Sequence, residues 1–129
     1  MSFQFNELYA LAKMLAIPFI ASKKAVSGNV GSVLVTPDGK VYKGVSVNTP
    51  CSLGFCGEHA AVAALMADRK AVIHSIISVD DGGEVIPPCG RCRQLLLFLH
   101  EHNQNTKIYI NNNGGFVSLS ELMPYSKGA

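Results

Sequence analysis

Two short cysteine motifs constrain the fold of this chain more than any other feature. They are Cys56-Gly57-Glu58 and, further along the chain, Pro88-Cys89-Gly90-Arg91-Cys92. Each motif stands at the predicted start of a helix, where free N–H groups and partial positive charge favour a thiolate. Cys89 and Cys92 lie on one helix face, and Cys56 adds a third thiolate from a second helix. The fold must therefore bring two helix N-termini together around one ion.

The ligand set and a neighbouring carboxylate predict a catalytic zinc site. Three thiolates fit Zn²⁺ and leave a fourth tetrahedral position for water, which the metal activates. Glu58 follows Cys56 by two positions, so it can lie beside the metal without binding it. A carboxylate there can take a proton from the water and return it to a substrate atom. Cys56, Cys89 and Cys92 are thus the predicted zinc ligands, and Glu58 is the predicted catalytic residue.

Two arginines are candidates for balancing the charge of this site. Three thiolates and one Zn²⁺ carry a net charge of about −1, which a nearby cation offsets. Arg91 lies between two ligands and Arg93 follows the second. We expect one of them, Arg91 in preference to Arg93, to donate to a thiolate sulfur. The alternative is that both arginines are exposed on the helix surface.

A structural zinc site is the main alternative to a catalytic one. His59 follows Cys56 by three positions and would close a four-ligand shell with the cysteines, leaving no position for water. That arrangement leaves Glu58 and Pro88 unexplained. Three buried free thiols at these spacings are a further alternative. Cys51 has no partner at ligand spacing and is expected to be a loop or core thiol.

Hydrophobic periodicity predicts an α/β class fold, a single domain over residues 1–129 in which helices cover a sheet. The predicted helices cover 6–22, 56–68 and 89–101, and a short one follows a capping box at Ser118–Glu121. Pro18 would kink or end the first helix. The predicted strands cover 32–36, 41–47, 71–79, 107–110 and 116–118, with a hairpin turn at residues 37–40. Residues 28–31, with a glycine at each end, are expected to break the chain.

Composition excludes several other classes of protein. A hydrophobic fraction of 48% and a net charge of +2 exclude a disordered chain. No basic stripe indicates nucleic acid as a partner, and no apolar run of about 18 residues indicates a membrane helix. Met1–Glu7 does not resemble a signal peptide, so we expect a cytoplasmic protein whose cysteines are ligands or core residues. Charged residues make up only 16%, below the roughly 25% typical of soluble domains, which indicates an oligomer.

From about Val30 to Pro124, the chain resembles the cytidine deaminase family. The zinc signature of base deaminases joins a first ligand and a glutamate to a P-C-x-x-C motif, as here. Arg91 between the cysteines, followed by the run 95–100, is closer to the blasticidin S deaminase branch. The matching segments are residues 30–34, 38–44, 53–58, 88–94 and 121–124.

The resemblance implies a three-layer cytidine deaminase-like fold with a mixed five-stranded sheet and one catalytic zinc per subunit. It implies a homotetramer with active sites near subunit interfaces, and we expect residues 60–66 and 95–99 at or beneath its faces. It also implies pyrimidine salvage, by hydrolytic deamination of a cytosine nucleoside (cytidine, deoxycytidine or a modified analogue) to the uracil form. Glu58 would deliver the proton of the attacking water to ring N3 and help protonate the departing amine. Deamination of blasticidin S or another substituted aminopyrimidine is the rival activity, and a zinc-stabilised binding protein is the non-enzyme alternative.

The substrate pocket departs from the family pattern. Asn-x-Glu, which holds the ribose hydroxyls in the family, reads Ser46-Val47-Asn48 here, so Ser46 and Asn48 are expected to bind the sugar without a carboxylate. Gly28 and Lys127 replace two pocket aromatics, and His59 replaces an arginine. Gly57 is expected to let the substrate approach the backbone closely. These departures predict a wider pocket that accepts a modified or larger cytosine nucleoside.

Overall fold

The computed structural model describes residues 4–126. Within that range the elements are α1 (Phe5–Leu15), β1 (Phe19–Ser22), β2 (Ala25–Val35), β3 (Val41–Asn48), α2 (Gly57–Ala67), β4 (Ser75–Asp80), α3 (Gly90–Leu99), β5 (Lys107–Tyr109) and β6 (Phe116–Ser118). Single turns of 3₁₀ helix cover Pro50–Ser52, Glu101–Asn105 and Leu119–Leu122. None of the helices in residues 4–126 has the length and apolar character needed to cross a membrane.

The strands form one mixed sheet. Its order is β1-β2-β4-β5-β6, and β3 pairs with β2 as well. The β4–β5 pair is parallel, with Ser75 opposite Lys107, and the other pairs are antiparallel. Parallel strands need a crossover connection, which α3 supplies between β4 and β5. This crossover carries the second cysteine motif.

Alternating side chains of the central strands build a core on each face of the sheet. Leu34, Ile76 and Ile108 are buried with the apolar residues of α2 and α3. On the opposite face, Val33 and Ile77 are buried with Leu8 and Ala12 of α1. The period of two along the strands therefore produces three layers, with α1 on one side and α2 and α3 on the other, as predicted.

The sheet has six strands rather than the expected five, because residues 19–22 form β1 and not the end of the first helix. The helix ends at Leu15, where the N–H of Ala16 bonds to carbonyls of the last turn. Pro18 provides no N–H and disfavours a helical Ile17 before it, so the chain leaves the helix extended. Phe19, which lies within the predicted helix 6–22, instead pairs with Ser27 near the start of β2 and is exposed.

The glycine pair at 28–31 does not break the chain either, since both residues lie within β2. Between Ser27 and Gly31 the register with β3 shifts, as in a β-bulge. Gly28 has φ +84°, and a Cβ there would lie 2.2 Å from the carbonyl oxygen of Ile17. This backbone therefore has no room for a side chain at position 28, where the resemblance implies an aromatic one.

Of the remaining predicted elements, some form as expected and others differ from the structure by a few residues at their boundaries. The hairpin of β2 and β3 forms as predicted, closed by hydrogen bonds between Thr36 and Lys40. The strand expected over 71–79 begins only at Ser75. The capping box of Ser118 and Glu121 is confirmed, although the helix it starts is a single 3₁₀ turn.

Asn103 is a buried polar residue that fastens α3 to the sheet. Its side chain is fully buried, and its amide donates to the carbonyls of Leu96 and Ala71, at 3.0 Å each. Its Oδ1 accepts from the N–H of Ile73 at 2.9 Å. One side-chain amide therefore supplies hydrogen-bond partners to main-chain groups near the end of α3 and in the segment that leads into β4.

We expect Asn103→Ala to lower the free energy of unfolding by about 2–4 kcal/mol, because it takes the side-chain partner from three main-chain groups, two of them in buried hydrogen bonds. Urea denaturation measures this loss. Asn105→Ala, at an exposed position in the same turn, is the control and should change stability by less than about 0.5 kcal/mol. Equal losses in the two variants would contradict the role assigned to Asn103.

Candidate metal centre and cavity

The helices carry the three cysteines to one point. Cys56 is the N-cap of α2 and Cys89 is the N-cap of α3, both with extended backbone, and Cys92 lies in the first turn of α3. Both helices pack on the same face of the sheet with their N-termini adjacent. This is the convergence of helix starts that the sequence predicts.

The sulfur geometry fits a tetrahedral zinc ion. The three Sγ atoms lie within 4.8 Å of one another, and the Sγ atoms of Cys56 and Cys89 are 3.7 Å apart. A Zn–S bond of about 2.3 Å in a tetrahedron places two sulfurs about 3.8 Å apart. Among the residues described, no other group of His, Cys, Asp or Glu offers three such atoms at this spacing. Three sulfurs leave one tetrahedral position open.

The surroundings shift the pKa values of the three thiols in different directions. Burial raises the pKa of the Cys89 thiol, but the N–H groups of Cys92 and Arg91 and the neighbouring thiols outweigh burial and hold that pKa below its ordinary value. Burial raises the pKa of Cys56, and burial together with the nearby Glu58 carboxylate raises the pKa of Cys92. A metal ion must therefore displace protons from Cys56 and Cys92 when it binds.

Glu58 lies in the first turn of α2, with 5% of its surface exposed. Its carboxylate is close enough to raise the pKa of both Cys56 and Cys92, yet it is not part of the ligand cluster. Glu58 also lines the cavity that opens beside the thiols. It is thus placed to exchange protons with a molecule in that cavity.

His59 does not complete a four-ligand shell. Its imidazole lies against the ring of Phe55, with the ring centroids 5.4 Å apart. The ligand cluster contains the three thiols and not this imidazole. The geometry therefore favours an open metal site over the closed structural one.

A cavity of about 480 Å³ lies over the thiols and Glu58. This volume falls within the roughly 300–1,000 Å³ typical of small-molecule sites. Apolar and polar side chains both reach it. The lining includes Phe55, Ile86, Pro87, Ser46, Asn48, Asn29, Thr49, Ser52, Cys56, Cys89, Glu58 and Arg91.

Comparison with known proteins identifies the family. No protein-family model matches the chain. A cytidine deaminase of Mycobacterium tuberculosis is 35% identical over 100 residues, which cover 77% of this chain and 72% of that protein. A cytidine deaminase of Halalkalibacterium halodurans is 32% identical over 99 residues, which cover 74% of each chain. The chain belongs to the cytidine deaminase family.

Solved structures of cytidine deaminases have the same fold. The enzyme from Mycobacterium tuberculosis superimposes with a TM-score of 0.79 at 30% identity, covering 99% of this chain and all of that one. The enzyme from Mycobacterium leprae gives a TM-score of 0.76 at 28% identity, covering 95% and 99% of the two chains. The three-layer cytidine deaminase-like fold implied by the sequence is thereby confirmed, and with it the place of this chain among the hydrolytic deaminases.

The two residues predicted to bind the sugar both line the cavity of this cytidine deaminase family member. Ser46 is buried, and its Oγ accepts from the N–H of Val30 at 3.0 Å, which leaves its own proton free to donate. Asn48 is exposed at the end of β3, and its amide donates to Oδ1 of Asn29 at 3.0 Å. Lys127 lies outside the described residues.

Neither arginine donates to a sulfur among the described hydrogen bonds. Arg93 donates from Nε to the carbonyl of Pro88 at 2.8 Å and from Nη1 to the carbonyl of Leu122 at 3.3 Å. Arg93 therefore joins the segment before Cys89 to the last 3₁₀ turn, and its described partners are carbonyl oxygens, not a thiolate sulfur. Arg91 is exposed at the cavity wall. Its predicted interaction with a thiolate stays a prediction.

The cavity residues that the sequence analysis does not predict include Asn29, Phe55, Ile86 and Pro87. Asn29 lies within the segment 28–31, for which the sequence predicts a chain break instead of a strand that reaches the cavity. Phe55 directly precedes a predicted ligand, and Pro87 directly precedes the P-C-x-x-C motif, so proximity in sequence was an available signal for both. Ile86 lies beside Pro87 in the same segment.

Cys51 remains outside the cluster. It is exposed in the 3₁₀ turn that follows β3, and both Cys51 and Ser52 have left-handed backbone, with φ 61° and φ 56°. It is thus a loop thiol, one of the two environments predicted for it.

Gly57 has a packing reason to be glycine. Its main chain lines the cavity, but a Cβ there would lie 2.6 Å from Oγ of Ser32 on β2. That hydroxyl is buried and is 2.7 Å from the hydroxyl of Ser78 on β4. The Cα of Gly57 thus faces the sheet, and the absence of a side chain lets α2 start close to β2.

We expect Gly57→Ala to destabilise the protein by about 1–3 kcal/mol through overpacking against Ser32. Ser32→Ala removes the crowding atom but also the partner of Ser78, so the loss caused by Gly57→Ala should be smaller in the Ser32→Ala background than in the parent. Urea denaturation of the parent, both single variants and the double variant measures this difference. If glycine serves only to admit the substrate, Gly57→Ala will raise KM with no change in stability in either background.

Proposed function

We propose that this protein is a zinc-dependent hydrolase that removes the 4-amino group of a cytosine nucleoside, giving the uracil form and ammonia. The observation that carries the proposal is the convergence of three thiols and the Glu58 carboxylate at one end of a cavity. The relatives and solved structures named cytidine deaminase support this reaction. The natural substrate within the class is part of the proposal.

Cys56, Cys89 and Cys92 would hold the zinc ion. When bound, the ion acts as a Lewis acid that makes a water molecule reactive at neutral pH. The sulfur spacing supports this donor set, as does the lowered pKa of Cys89, which favours one thiolate in advance of the metal. The other two thiols lose their protons on binding, so zinc uptake should be tighter at higher pH.

Glu58 moves the protons of the reaction. It takes one from the attacking water and delivers it to ring N3, which removes the N3–C4 double bond as oxygen attacks C4. It then takes the proton of the C4 hydroxyl and passes it to the 4-amino group, which leaves as ammonia while the C4 carbonyl forms. Nearly complete burial keeps the carboxylate in one position for both transfers, which is a requirement of general acid and base catalysis.

Different walls of the cavity would contact the base and the sugar of the substrate. Phe55, Ile86 and Pro87 offer apolar surfaces to the base, and Ser46 and Asn48 offer hydrogen bonds to the sugar. Gly28 adds no side chain, so the base has no aromatic neighbour from that position. The absence of a side chain at position 28 supports a second candidate, a modified cytosine nucleoside such as blasticidin S.

A substrate panel tests the proposal. Zinc-loaded protein is incubated with cytidine, deoxycytidine and blasticidin S, and loss of absorbance from the 4-amino chromophore is followed. We expect turnover of at least one of these compounds and none of adenosine, the control. Failure to turn over all three would overturn the proposed function, and turnover of blasticidin S alone would favour the second candidate.

We also propose a homotetramer with the active sites near subunit interfaces. Support comes from the low charge fraction and from apolar side chains that stay exposed, among them Phe98 at 63% and Met66 at 45%. Both belong to the segments expected at subunit faces. Light scattering that gives the mass of a monomer would contradict this assembly.

A further inference from the structure

A chain of three hydrogen-bonded side chains runs from the cavity to the turn after β4. Nδ2 of Asn48 donates to Oδ1 of Asn29 at 3.0 Å, and Nδ2 of Asn29 donates to Oδ2 of Asp81 at 3.4 Å. The main chain ties the last two residues as well, because the N–H of Asp81 donates to the carbonyl of Asn29 at 2.9 Å. Asn29 and Asn48 line the cavity, whereas Asp81 does not.

The carboxylate of Asp81 fixes the donor-to-acceptor direction of both side-chain hydrogen bonds. An ionised carboxylate only accepts hydrogen bonds, so Asn29 must turn its NH₂ group toward Asp81. The carbonyl of the Asn29 side chain then faces Asn48, which must donate to it from its own NH₂ group. The carbonyl oxygen of Asn48 is left over, and among residues 4–126 it accepts no hydrogen bond.

We propose that Asp81, acting through Asn29, makes Asn48 a hydrogen-bond acceptor for a hydroxyl of the nucleoside sugar. This inference rests on the proposed function. Asp81 and Asn29 are positioning residues, since the carboxylate acts on the substrate only through two amides. The arrangement supplies an acceptor at the cavity wall while keeping the negative charge outside it.

The direction of these hydrogen bonds can be tested by variants that reverse it. Asn48→Asp places a second carboxylate at the near end, so two acceptor-only groups compete for the one NH₂ group of Asn29. Adding Asp81→Asn resolves the conflict, because the new amide donates to Asn29, and Asn29 then donates toward position 48. The double variant thus has a complete chain that runs the other way.

Steady-state kinetics with cytidine and 2′,3′-dideoxycytidine measure the effect. For Asn48→Asp we expect kcat/KM for cytidine to fall by about tenfold, the scale of one hydrogen bond to a charged group. Adding Asp81→Asn should return it to within about threefold of the parent. With dideoxycytidine, which lacks both ring hydroxyls, all variants should stay within about threefold of the parent.

Glu84→Gln is the matched control. Glu84 is exposed in the same turn as Asp81, and its side chain is not in the chain of hydrogen bonds. Combined with Asn48→Asp it restores the parent's net charge but should restore no activity toward cytidine. Equal rescue by Glu84→Gln would show a general charge effect and overturn the inference.

The remaining outcomes are also decisive. Additive effects of Asn48→Asp and Asp81→Asn would overturn the inference, as would equal losses with cytidine and dideoxycytidine. Either result would leave the proposed function standing, because the parent would still deaminate both compounds. A parent with no activity on any cytosine nucleoside would instead overturn the proposed function and this inference with it.

Discussion

Replacing Glu58 by Gln is expected to lower kcat by about 10²–10⁴-fold, the range that general acid and base groups contribute. Glutamine has nearly the same shape but cannot carry the proton from water to ring N3. Zinc content should not fall, because Glu58 lies outside the ligand cluster. The glutamate charge also raises the pKa of Cys56 and Cys92, so its removal favours the thiolates that bind zinc.

The experiment pairs initial rates on the best substrate with elemental analysis of zinc per chain. Glu84→Gln is an exposed control for the loss of one carboxylate and should keep the parent's kcat. Two results would contradict the assignment. One is a variant that keeps more than about a tenth of the parent's kcat, and the other is a variant that loses its zinc, which would make Glu58 a ligand.

Cys92→Ala is expected to abolish turnover by removing the metal. A zinc site contributes about 10–16 kcal/mol in total, so losing one of three thiolates should weaken binding by about 10³-fold or more. Cys92 is only 1% exposed, and alanine leaves an apolar gap there in place of a ligand. We therefore expect a lower melting temperature and little zinc after dialysis.

Cys51→Ala provides the matched control, because this exposed cysteine lies outside the cluster. It should keep the parent's zinc content and activity. Chelator treatment separates metal loss from damage to the core: it should lower the melting temperature of the parent toward that of Cys92→Ala and leave the variant nearly unchanged. Full zinc content in Cys92→Ala would contradict the ligand assignment.

The cluster of three thiols beside Glu58 was predictable because its parts are local in sequence. Two motifs, each at a helix start, specify the thiols and the neighbouring glutamate, and hydrophobic periodicity specifies the crossover that brings them together. Short-range rules sufficed for the hairpin after Thr36 and the capping box at Ser118 as well. In each case the determining residues lie within a few positions of one another.

Features that depend on distant partners were not predictable. Residues 19–22 form a strand because the start of β2 offers a free edge, and periodicity alone gave no sign of it. In the sequence, Asn103 is indistinguishable from an ordinary polar loop residue. Only the fold brings to its side chain the three main-chain groups with which it forms hydrogen bonds. The link from Asn48 through Asn29 to Asp81 joins three separate segments, so no spacing in the sequence indicates it.

Product analysis in oxygen-18-labelled water is the sharpest test of the proposed zinc-dependent hydrolysis. Zinc-loaded protein is incubated with cytidine, or with the best substrate of the panel, and the product is examined by mass spectrometry. We expect the uracil form carrying one oxygen-18 atom at C4, ammonia in equal amount, formation slowed by about 10²–10⁴-fold with Glu58→Gln, and no product with metal-free protein. Unchanged cytosine nucleoside, or the same product from metal-free protein, would contradict the proposal.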